Sequence, residues 1–114
     1  MVEEKRHHKR IDSLNLISYV CLDENDQIIK QGMGRTLNVS KGGILLETHI
    51  KIDSGKIVLL TIGLEEDLVD IKGKIVTSSE GKEGKFESGI QFLETDETSR
   101  EILDRYITAF KKQQ

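Results

Sequence analysis

Two short stretches of the sequence carry side chains suited to binding an anion with flat rings. The first is Arg6-His7-His8-Lys9-Arg10, two arginines four residues apart in a basic head. A guanidinium is a planar fork of donors that matches phosphate oxygens bidentately, and it also stacks on flat π-systems such as nucleobases. Two such forks on one segment would close over a ligand that combines phosphates with bases. The plain alternative is a solvated basic terminus. The second stretch is Asn38-Val39-Ser40-Lys41-Gly42-Gly43. An Asn amide pairs with a base edge, a Ser hydroxyl binds phosphate, and adjacent glycines let backbone N–H groups turn toward a ligand. Here the plain alternative is a β-turn that only joins two strands.

The segments that must hold these residues read as strands. Turn signals recur at Asp23-Glu24-Asn25-Asp26, Ser40-Lys41-Gly42-Gly43, Asp53-Ser54-Gly55, Gly63 to Asp67 and Ser78 to Gly84. Short runs rich in Ile, Val, Leu and Thr lie between them, the pattern of an all-β sandwich or barrel. Six strands are expected, near Asn15–Leu22, Gln27–Val39, Gly43–Thr48, Lys56–Ile62, Leu68–Ser78 and Lys85–Leu93. The second is long and contains Gly32 and Gly34, so a bend or bulge is expected at one of them. In the fifth, Val69, Ile71, Gly73, Ile75 and Thr77 are expected on one face, against Asp70, Lys72 and Lys74 on the other. Such alternation fits an antiparallel sheet with one buried side. The C-terminus changes period. Ile102, Leu103, Tyr106, Ile107 and Phe110 form one stripe of an amphipathic helix. Thr98 and Glu101 have capping-box spacing, and Thr95 or Asp96 would cap one turn earlier. So short a helix must dock on the sheet or on a second copy of the chain.

Composition narrows the function. A chain of 114 residues is one domain's worth. With 36% hydrophobic and 32% charged residues it reads as a water-soluble globular protein. No apolar run approaches the roughly 18 residues of a membrane span. The N-terminus lacks the apolar core of a signal peptide, so a cytoplasmic location is expected. The single Cys21 rules out an intrachain disulfide and a zinc site of the finger or ribbon type, and it reads as a small buried hydrophobe. The chain carries a net charge of −3 although its first ten residues are net basic. An acidic body and 4% aromatic residues argue against binding a nucleic-acid polymer. His7 and His8 would need further ligands to hold a metal, and only His49 remains. Glu65-Glu66-Asp67 reads as a solvated loop. There is no nucleophile-plus-base pattern, no Walker-type phosphate loop and no HExxH, so neither catalysis nor a resident metal or cofactor is expected.

Taken together, the two stretches resemble the PilZ domain family, whose pattern is RxxxR followed by [D/N]xSxxG. This chain supplies Arg6 and Arg10, then Asn38, Ser40 and Gly43, and continues with Ile44-Leu45-Leu46. Gly89-Ile90-Gln91-Phe92 is similar to the family's glycine–aliphatic–x–Phe strand, so the resemblance runs over nearly the whole chain. It implies a six-stranded antiparallel β-barrel with a C-terminal helix at about 96–112. A flexible arm over 1–12 would carry RxxxR, and the barrel and helix would occupy 13–114. It further implies a bacterial receptor for cyclic di-GMP. Arg6 and Arg10 would engage phosphates and guanines, Asn38 a guanine edge, and Ser40 phosphate or base. Gly43 would permit close approach, and Lys5 and Gly42 are further candidates. Lys5 precedes the first arginine, the position that bears on binding one ligand or a stacked pair. Ligand would clamp the arm and signal to a downstream protein, the chain acting as monomer or homodimer. The alternative is a PilZ-fold protein–protein adaptor that binds no nucleotide.

Overall fold

The computed structural model describes residues 15–113. The described chain forms six strands, β1 (Leu16–Leu22), β2 (Ile28–Val39), β3 (Gly43–Thr48), β4 (Ile57–Leu64), β5 (Asp67–Glu80) and β6 (Phe86–Phe92), followed by helix α1 (Glu97–Lys112). All neighbouring strands are antiparallel, and the order β1-β2-β3-β6-β5-β4 closes on itself as a barrel. Each expected strand is present with ends shifted by no more than two residues. Closure removes sheet edges. Every strand but β2 turns an apolar face inward; β2 turns Gly34, Thr36 and Val39 inward and leaves Ile28, Ile29 and Met33 exposed.

Side chains from all six strands fill the interior, among them Ile17, Tyr19, Leu46, Val58, Leu60, Ile62, Ile71, Ile75 and Ile90. Gly32 and Gly34 make room for two of them. The Tyr19 ring lies over Gly32, and a Cβ on Gly34 would stand 2.7 Å from Leu46 Cγ. These glycines are therefore not where β2 is irregular, contrary to the sequence expectation. β2 is irregular on either side of them: Ile29 is extra where Cys21 pairs with Lys30 and Leu22 with Ile28, and Leu37 is extra where Thr36 pairs with Leu46 and Asn38 with Leu45. A third bulge falls between Ile75 and Thr77 of β5, with Val76 extra. It corrects the expected phase of β5. Val69, Ile71, Gly73 and Ile75 face inward as expected, but Thr77 is turned out and exposed.

β3 and β6 approach each other more closely than most side chains would allow. A Cβ on Gly43 would collide with the carbonyl oxygen of Ile90, and one on Gly89 with Thr77 Oγ1. The Thr77 hydroxyl accepts from the Gly89 N–H at 3.1 Å, giving that bulge-adjacent donor a partner.

Helix α1 packs mainly on β4 and β5, burying Leu103, Tyr106, Ile107 and Phe110. The apolar stripe thus docks on the chain's own barrel. Asp96 is the N-cap, its carboxylate accepting from the Ser99 N–H at 2.7 Å, so of the three expected caps it is Asp96 and not Thr95 or Thr98 that is used. That bond holds the Asp96 carboxyl below its usual range. Tyr106 reaches the barrel interior, where its hydroxyl and that of Thr36 are hydrogen-bonded at 2.9 Å. At the far end Gln113 Nε2 donates to Asn15 Oδ1 at 2.6 Å, so the chain enters β1 beside the end of the helix.

Three outcomes follow for stability. Tyr106→Phe strands the buried Thr36 hydroxyl and is expected to cost about 1–2 kcal/mol in urea unfolding. Burial pushes the Tyr106 phenol from its ordinary 10.0 up to about 12, partly offset by the Thr36 bond. Its neutral form is therefore favoured by folding. That contribution is fully present below pH 10 and is lost as pH rises toward about 12, because the unfolded chain ionises first. Urea midpoints measured across that window are expected to fall less steeply in Tyr106→Phe than in the parent chain. Gly43→Ala is expected to destabilise the ligand-free protein by about 1–3 kcal/mol, since the Ile90 carbonyl belongs to a ladder that cannot easily yield. Thermal unfolding without any ligand measures it.

Candidate functional site

The Ser40–Gly43 turn opens onto a groove of about 410 Å³ on the outer wall of the barrel. Its floor is made by two glycines on adjacent strands, Gly43 of β3 and Gly89 of β6. In register, Gly43 pairs with Gln91 and Leu45 with Gly89. Neither contributes a side chain, so backbone lines the floor, with the Ile90 carbonyl close against Gly43 and the Thr77 hydroxyl against Gly89. Asn38, Ser40 and Leu45 border it on the β2–β3 side, and Val76 and Gln91 on the β5–β6 side.

The position of each side chain follows from local strand geometry. Side chains alternate between faces, so an extra residue inverts every later one. Thr36 is buried. With Leu37 inserted, Asn38 faces solvent and Val39 the core. Asn38 Oδ1 accepts from the Val39 N–H at 2.9 Å, and among the described residues nothing engages its Nδ2. Ser40 N–H donates to the Gly43 carbonyl at 2.8 Å, closing the turn around Lys41 and Gly42. Phe92 N–H donates to the Gly42 carbonyl at 2.9 Å, which fastens the turn to β6. The Ser40 hydroxyl is exposed and unbonded among the described residues.

Neither Gly42 nor Gly43 has left-handed backbone, so the glycine pair is not needed for an unusual φ. Gly42 faces open space, whereas Gly43 is required by the neighbouring strand. The close approach that Gly43 permits in this structure is that of β6.

The structure thus brings Asn38, Ser40, Gly42 and Gly43 to one groove. Lys5, Arg6 and Arg10, and the 1–12 arm that carries them, lie outside the described residues. Seven further residues line the groove, the buried Val39, Ile44 and Ile90 and the outward Leu45, Val76, Gly89 and Gln91, and the sequence assigns a binding role to none of them. A glycine inside a strand does signal a close approach of backbone or ligand, and Gly89 carried that signal. Val76 carried none, because it reaches the rim only through the bulge.

The groove's chemistry is that of a shelf for a flat ring. Its lining side chains bear no formal charge. Leu45 and Val76 supply apolar contact, and Asn38, Ser40 and Gln91 supply hydrogen bonds at its borders. Cations stand outside the lining, Lys41 in the turn and Lys74 opposite Gln91 in register; neither forms an ion pair with a described residue. No helix among the described residues is long and apolar enough to cross a membrane.

Among solved structures the chain is similar to one described as the PilZ domain with c-di-GMP of YcgR from Escherichia coli. The match has a TM-score of 0.61 at 13% identity and covers 85% of this chain and 83% of that one. It is also similar to MrkH, described as a c-di-GMP-dependent transcription regulatory factor. That match has a TM-score of 0.53 at 12% identity and covers 86% of this chain and 45% of that one. At these identities the likeness is one of fold. A search of curated proteins finds no match. The PilZ domain family model matches residues 4–109, from the basic head through the barrel and most of α1, and the chain is therefore a member of the PilZ domain family.

Proposed function

We propose that this protein is a receptor for cyclic di-GMP that has no catalytic activity of its own and signals to a downstream protein. The observation that carries the reading is the glycine-floored groove with Asn38 and Ser40 at its border. A backbone floor flanked by Leu45 and Val76 accepts the face of a purine, and the border amides and hydroxyl meet its edge. The same groove has no cation in its lining, so it leaves the two phosphates of such a ligand unanswered. The basic head supplies what is missing. Arg10 lies five positions before Asn15 and Arg6 nine, spans of at most about 18 and 32 Å when extended.

The register of β1 supports this reading. Leu16 pairs with Arg35, so β1 begins at the end toward which β2 runs to reach the Ser40 turn. Arg6 and Arg10 would then cover the ligand with guanidinium forks while Asn38 and Ser40 hold it from below, with Lys5 and Lys41 as further cations. The relative described with c-di-GMP shares this fold. Engagement of the arm would alter the surface around Asn15 and Gln113, where the chain enters β1 beside the end of α1. That surface is what a downstream partner would read.

Isothermal titration of cyclic di-GMP into the purified protein tests the reading. Each of Arg6→Ala and Arg10→Ala is expected to weaken binding about 10- to 100-fold, the size of one charge-assisted contact. Asn38→Ala is expected to weaken it by about tenfold or less, with unchanged thermal unfolding. The fitted ratio also separates one bound ligand from a stacked pair. A folded parent protein that gives neither heat nor a shift in a second binding assay would exclude the receptor and leave the protein–protein adaptor.

A further inference from the structure

Gln91 stands on the opposite wall of the groove from Asn38. It is exposed, it lines the groove, and among the described residues its carboxamide makes no hydrogen bond. Two strand spacings and a two-residue stagger separate the two positions, since Asn38 pairs with Leu45, Leu45 with Gly89, and Gly43 with Gln91. At about 4.8 Å per strand spacing and about 3.4 Å per residue, their backbones lie roughly 12 Å apart. That span leaves room for one flat bicyclic ring between two side chains.

The two amides are not equivalent. The oxygen of Asn38 already accepts from the Val39 N–H, which leaves one lone pair on it beside the two Nδ2 donors. Those free donors match the O6 and N7 acceptors of guanine. Gln91 retains both functions. Its oxygen accepts from guanine N1–H while its nitrogen donates to O6. The other side-chain acceptors lining the groove, the Asn38 oxygen and the Ser40 hydroxyl, both lie on the β2–β3 side. Resting on the receptor reading above, we propose that Gln91 is a base-reading residue that supplies the acceptor for a guanine's N–H edge from the β6 wall.

The test titrates the guanine cyclic dinucleotide and its hypoxanthine analogue, which lacks the exocyclic 2-amino group, into the parent, Gln91→Ala and Gln91→Glu. Gln91→Ala is expected to lose about three- to tenfold for both ligands, because both carry N1–H and O6. Gln91→Glu presents two acceptors, so it engages N1–H and the 2-amino group together. The ratio of guanine to hypoxanthine affinity is then expected to rise at least about threefold over the parent ratio. Charge repulsion from the phosphates cancels in that ratio, since the two ligands carry the same phosphates. A packing role for Gln91 would leave the ratio at its parent value in Gln91→Glu. Unchanged affinities in Gln91→Ala, or an unmoved ratio in Gln91→Glu, would overturn the assignment while leaving the receptor intact. A parent protein that binds neither ligand would remove the receptor reading and this assignment with it.

Discussion

Strand parity is the constraint on which the groove depends. Along a strand each side chain faces opposite to the last, and a single extra residue exchanges inside for outside from there on. Leu37 is such a residue in β2. Without it Asn38 would point into an apolar core, where an unpartnered amide costs several kcal/mol, and Val39 would point into water. Val76 performs the same inversion in β5 and turns Thr77 outward. At these two bulges the oxygen of the outward residue accepts a neighbouring backbone N–H: Asn38 from Val39 and Thr77 from Gly89. The bulges aim these polar side chains at one patch of the outer wall, while the paired Ser78 and Ser88 hydroxyls beside the β5 bulge lie buried without a partner among the described residues.

A site on the outside of a barrel is only as well defined as the packing behind it. Leu46 packs over Gly34, Tyr19 over Gly32, and the Ile90 carbonyl fills the space where Gly43 lacks a side chain. Helix α1 adds Tyr106 and its bond to Thr36 one residue before the Leu37 bulge, so the helix steadies the strand that presents Asn38. The contacts of Arg105 with Glu65 and Asp67, at 3.5 and 3.0 Å, are exposed and contribute little by comparison.

The proposed receptor divides its chemistry between two parts of the chain. The barrel offers an uncharged shelf with directional hydrogen bonds, which suits reading a base. The basic head offers charge and planar forks, which suit phosphates. With no cation in the groove lining, the shelf alone does not match a dinucleotide's phosphates, and the head alone does not read its bases. Binding would then require both, and that coupling would make the ligand change the protein's surface.

Much of this was legible in the sequence because it depends on local order. Period-two alternation bounded by turn signals located all six strands, and the stripe from Ile102 to Phe110 located the helix. The spacing of Asn38, Ser40 and Gly43 marked the turn. What could not be read locally was anything fixed by register between strands distant in sequence. Gly32 and Gly34 suggested a bend, but their purpose is room for Tyr19 and Leu46, which approach only when the barrel closes. The bulges at Leu37 and Val76 carry no signature of their own, because an extra residue is defined only against its partner strand. Thr77 was assigned inward for that reason. Gly89 and Gln91 became groove residues only through the pairing of β3 with β6, about 45 residues apart in the chain. Composition and periodicity thus determined which segments form strands and which turn carries the motif. The tertiary structure decided which faces meet, because closure of the barrel sets the register and the register sets where each side chain points.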